Sequence, residues 1–80
     1  MNYELLIKKL YELDYLYIDK PGFRSALTEI EGINNYERSI EIATTVGTFS
    51  IDKLKVLTIT ETDEMIFVSM KNDFINFEII

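Results

Sequence analysis

Residues 60–65, TETDEM, set Glu61, Asp63 and Glu64 within four positions, and clustered carboxylates are the side chains that attract hard divalent cations. The D-x-[DN]-x-[DN]-G spacing that folds a loop around calcium is absent. The run therefore reads first as the solvated tip of a hairpin, and second as an acidic surface turned toward a partner. Glu29 and Glu31 stand two apart, a spacing that sends them in different directions on a helix and makes them a poor acid–base couple.

The remaining chemistry is narrow. The chain has no histidine and no cysteine, which removes the usual near-neutral proton carrier, the commonest metal ligand and the thiol nucleophile. No glycine-rich phosphate loop occurs, and the single glycine of VGT at 46–48 reads as a strand irregularity. An enzyme would have to build a carboxylate site from Glu41, Asp52 or the 61–64 cluster. The sequence favours a non-catalytic protein with no cofactor and no metal.

Aromatic residues are the other candidates. In LYELDYLYIDKPGF, residues 10–23, three of the five tyrosines fall within seven positions. Tyr3 and Tyr17 share an apolar helical face and belong to the core. Tyr11 and Tyr15 lie nearer the polar side beside Glu12 and Asp14, where an exposed pair would suit a protein-binding patch.

These side chains need elements to position them. From Asn2, a plausible N-cap, Tyr3, Leu6, Ile7, Leu10, Leu13 and Tyr17 recur at 3.6-residue spacing, so a helix is expected through about Leu13. Residues 14–18 fit either a last helical turn or a short extended segment. Pro21 and Gly22 turn the chain. Phe23, Ala26, Leu27 and Ile30 then predict a second helix that Gly32 would cap. From Tyr36 the period changes to two, and strand candidates follow at 36–42, 46–51, 54–60, 65–70 and 74–80, joined by hairpin-length connections.

The expected fold is a single α+β domain over 1–80, with two N-terminal helices packed on an antiparallel meander sheet of about five strands, open to curling toward a small barrel. MIFVSM and LKVLTIT are apolar on both faces, so the second face needs cover from curling, from a helix or from another subunit. FINFEII ends on Ile79 and Ile80; as an open edge it would invite pairing with a second chain. A homodimer or higher homo-oligomer is expected.

Charge narrows the partners. Fourteen acids against eight bases give −6, which repels nucleic-acid phosphates and anionic lipid. The start lacks a secretory leader pattern and no stretch reaches membrane-spanning length, so the expected location is cytoplasmic, with neither direct nucleic-acid nor membrane binding. The expectation is a small acidic protein-binding or regulatory module. Within that class the choice falls on an inhibitor of the sort carried by phages and mobile elements, competing with nucleic acid for a basic groove on a nucleic-acid enzyme as anti-CRISPR and other DNA-mimic proteins do. The expected contact residues are Glu61, Asp63, Glu64, Tyr11 and Tyr15. The alternative is an assembly subunit that self-associates through sheet edges.

Overall fold

A computed structural model describes residues 2–80. Helix α1 spans Tyr3–Tyr11. Asn2, in an extended conformation, accepts the Leu5 amide at 2.7 Å, while Glu4 in the first turn and Lys8 and Lys9 in the last complement the helix dipole. Leu6 and Leu10 are fully buried. The helix stops short of Leu13, Asp14 and Tyr15 form a bend, and residues 16–18 are strand, because Leu16 and Ile18 alternate into the core from strand β1, Leu16–Lys20.

The second helix does not form. Pro21 and Gly22, the latter at φ 73°, make a two-residue hairpin turn. Beyond it, strand β2, Phe23–Arg24, pairs Phe23 with Lys20 and Arg24 with Asp19. The extended chain then continues along β1. Ser25 donates its amide to the Ile18 carbonyl and accepts the Ile18 amide on its Oγ, both at 2.8 Å, and Leu16 and Thr28 exchange two bonds of 3.0 Å. Ser25 and Thr28 are the buried residues here, whereas Phe23 and Leu27 are exposed. Satisfying the backbone of β1 outweighs a short helical period, even though Arg24, Ala26, Leu27 and Glu29 are good helix formers.

Gly32 lies at a register shift in strand β3, Ile30–Asn35, and is not a helix cap. The extra residue there lets Ile30 and Ile33 both pack against the core. Residues 23–35 thus form one ribbon that pairs first with β1 and then with strand β4, Ser39–Thr44. The strand expected from Tyr36 begins three residues later, since Tyr36 sits in the β3–β4 turn with its amide on the Ser39 carbonyl.

Strands β5, Gly47–Asp52, β6, Val56–Glu61, β7, Met65–Met70, and β8, Asp73–Ile79, complete the chain. Eight strands, against the five expected, form two antiparallel sheets ordered β2-β1-β8-β7-β6 and β3-β4-β5, and no barrel closes. The meander breaks between β5 and β6. There Asp52 accepts the Leu54 amide on its side chain and the Lys55 amide on its carbonyl, each at 3.0 Å, and the corner carries the chain into the other sheet. Ile40, Ile42 and Ile51 of the smaller sheet share one core with Ile18, Ile66, Val68, Ile75 and Phe77 of the larger.

Two expectations about cover are corrected. The C-terminal strand is no edge, because β8 lies between β1 and β7. The outer face of the larger sheet has no second helix over it. Its half-buried apolar side chains cover one another: the Phe67 and Phe74 rings stack with centroids 5.4 Å apart, and the Arg24 guanidinium lies 4.4 Å from the centre of Tyr17. No helix among the described residues is long and apolar enough to cross a membrane.

Candidate functional site

Strands β1 and β7 are each antiparallel to β8 between them, so both begin at the end of the sheet where β8 finishes. The pairings Leu16↔Thr28 and Leu16↔Ile79, with the Ile79 amide donating to the Glu64 carbonyl at 2.7 Å, set Thr28, Leu16, Ile79 and Glu64 in one row. Just beyond this row the chain leaves the sheet at Tyr15, Glu29, Ile80 and the turn holding Asp63. Tyr15 and Ile80 are both well exposed. Residues distant in sequence therefore form one acidic end with an apolar centre.

Three adjoining open depressions mark this end. Glu12, Asp14, Glu29, Glu64 and Glu78 contribute carboxylates to their walls, Leu13, Ile30, Met65 and Ile79 give apolar surface, and no lysine or arginine lines any of them. Beside Glu64 and Glu78, the Asn76 Oδ1 is buried without a hydrogen-bond donor among the described residues.

The hairpin tip is ordered locally. Thr62 Oγ1 accepts the amides of Glu64 and Met65, each at 3.2 Å, and the Thr62 amide bonds the Met65 carbonyl. Asp63 and Glu64 are thereby presented on a tight turn. Glu61, expected to belong with them, is paired with Lys9 of α1 at 3.1 Å, a partly exposed ion pair of about 0–1 kcal/mol. Glu78 is likewise shared, since Arg24 Nη1 reaches Glu78 and Asp19, each at 2.9 Å. Hydrogen bonding to Glu78 and then Asp19 raises the Arg24 pKa above its already high value, so this residue stays cationic.

Tyr15 and Tyr11 do different jobs. Both are exposed, at 52% and 54%, but the Tyr11 hydroxyl accepts the Ile33 amide at 2.8 Å and is held to β3. Tyr15 stands beside Glu29, and hydrogen bonding to that carboxylate, reinforced by its charge, raises the phenol above its ordinary pKa of 10.0. Tyr15 and Glu64 thus share the acidic end, while Glu61 and Tyr11 carry internal contacts. Asp14, Glu29 and Ile80 join the site although their spacing in the sequence gave no sign of it.

Among the described residues, no three carboxylates gather so as to hold a metal ion. The carboxylates are spread along the end of the sheet. No protein-family model, curated protein or solved structure matches this chain.

Proposed function

We propose that this protein is a non-catalytic binding module whose acidic sheet end docks on a basic protein surface. The observation carrying this reading is the spread of Asp14, Glu29 and Glu64 along one sheet end with exposed Tyr15 and Ile80, in adjoining depressions that no lysine or arginine lines. Tyr15 supplies an amphipathic anchor and Ile80 apolar contact, while the carboxylates set orientation and encounter rate. A surface of this kind complements a groove that otherwise holds phosphates. The favoured partner is accordingly a nucleic-acid-binding enzyme, with the chain as a DNA-mimic inhibitor of the anti-CRISPR sort.

The test is capture of partners on the immobilised protein at low and high salt, followed by competition with DNA. Raising salt from about 0.1 M to 1 M shortens the Debye length from roughly 10 Å to 3 Å. A partner that is released by salt, displaced by DNA and lost to the triple variant Asp14→Asn/Glu29→Gln/Glu64→Gln supports the proposal. Binding indifferent to both salt and neutralisation overturns it.

A further inference from the structure

The end of the molecule opposite the acidic one is basic. Strands β1 and β7 finish there, and β6 and β8 begin there, so the β1–β2 turn, the β7–β8 turn and the β5–β6 corner share it. The Lys71 amide donates to the Lys55 carbonyl at 3.0 Å, and the Lys53 amide donates to the Arg38 carbonyl at 2.9 Å, which brings in the β3–β4 turn. Five of the eight bases, Lys20, Arg38, Lys53, Lys55 and Lys71, therefore collect at this end. The Lys53 ammonium is held by Asn35 Oδ1 and the Tyr36 carbonyl, but the other four make no ion pair among the described residues. Arg38, Lys55 and Lys71 are exposed, and the corner also carries Leu54, 76% exposed. Glu37, Asp52 and Asp73 lie among these bases, the last two turned onto the Leu54 and Phe74 amides of their own turns.

We propose that the acidic end of one copy of this chain docks on the basic end of another. The two ends match in kind: Tyr15 and Ile80 are exposed along with Asp14, Glu29 and Glu64, and Leu54 is exposed along with Arg38, Lys55 and Lys71. Apolar contact is thus made within a rim of opposite charges. A phosphate backbone fits the basic end less well, because its continuous charge meets Glu37, Asp52 and Asp73, whereas separate carboxylates face individual lysines. The net charge of −6 does not forbid the contact. The molecule measures 24–28 Å across, and at 0.1 M salt the Debye length is about 10 Å, so charges at the far ends are largely screened while those at the contact act at short range. Joining unlike ends leaves each copy with one end free, so the contact propagates into a ring or an open chain. The proposal rests on the acidic end being a docking surface, and names a second copy as its occupant when no other basic partner is present.

Sedimentation of the full chain across a concentration series at about 0.1 M salt should show association that about 1 M salt reverses. The variants Lys55→Gln/Lys71→Gln and Asp14→Asn/Glu29→Gln/Glu64→Gln each neutralise one end, and each alone should associate about tenfold or more weakly than wild type. Mixed, they offer one intact end apiece and should form a one-to-one complex that grows no further. Lys8→Gln, a charge change on the helix, should associate as wild type does. All these side chains are exposed, so far-UV circular dichroism should be unchanged. A lysine homopolymer probes the acidic end alone, and wild type and Lys55→Gln/Lys71→Gln should bind it equally. A monomer at every concentration, association indifferent to the lysine pair, equal weakening by Lys8→Gln, or a variant mixture that stays monomeric overturns the proposal. Homopolymer binding without self-association overturns head-to-tail docking while the acidic end stands as a docking surface; loss of both overturns the acidic end itself.

Discussion

The Tyr11 hydroxyl accepts the Ile33 amide at 2.8 Å, joining the last residue of α1 to an edge of β3 that no strand covers. A phenol here does two things: it fixes the helix to the smaller sheet and occupies a backbone donor that would otherwise be open to another chain. Tyr11→Phe keeps the ring and removes the acceptor. A net loss of about 0.5–1.5 kcal/mol is expected, toward the lower end because water reaches the site. Urea unfolding checks this, with a lower midpoint and an unchanged m value.

The contact between Tyr15 and Glu29 carries a pH signature. The raised phenol pKa means that the folded state holds its proton more tightly than the unfolded chain does. The stabilisation is complete below about pH 10, the ordinary tyrosine range, and is lost as pH rises through the folded value. Glu29→Gln should move one tyrosine of the ultraviolet titration to lower pH, and Tyr15→Phe should remove that component. Identical curves for wild type and Glu29→Gln would show that the carboxylate does not act on the phenol.

Where periodicity and burial agreed, the sequence was legible. Leu6 and Leu10 lie on the predicted helical face, and Ile66, Val68 and Met70 on one predicted strand face; all are buried. The second helix failed because the buried members of its segment are Ser25 and Thr28, polar residues to which a hydrophobic period is blind. Ser25 is buried because its hydroxyl takes the Ile18 amide, a relation that exists only once β1 is a strand. The acidic end was hidden for the same reason. Tyr15 and Glu64 stood out separately, but their common location follows from β1 and β7 running in the same direction, and Asp14 and Glu29 follow from the pairing of Leu16 with Thr28.

Burial sets a sharp contrast in mutational cost. Phe77 is fully enclosed between the two sheets, and Phe77→Ala should cost about 3–5 kcal/mol through lost transfer energy and the cavity left behind. For a domain whose whole stability is of order 5–15 kcal/mol, that loss populates unfolded chain at ordinary temperature. Leu54→Ala removes an equally apolar group from open surface and should stay within about 0.5 kcal/mol at monomeric concentrations. Thermal unfolding of both variants checks the pair, and a large loss for Leu54→Ala would place that leucine inside the fold.

Within the hairpin that the sequence marked as one acidic cluster, neighbouring carboxylates should behave unequally. Glu61 already has Lys9 at 3.1 Å, so a basic partner gains little from it without breaking that pair. Glu64 makes no ion pair among the described residues and lines the depression beside Asn76, where the buried Oδ1 lacks a donor. Glu64→Gln should therefore weaken binding to a basic partner and flatten its salt dependence. Glu61→Gln should leave both nearly unchanged, and frees Lys9 to oppose the partner only at the margin of the site. Dissociation constants for the two variants across a salt series decide the matter: equal losses would mean that the partner reads the net charge of the chain, and a loss at Glu64 alone that it reads the geometry of the sheet end.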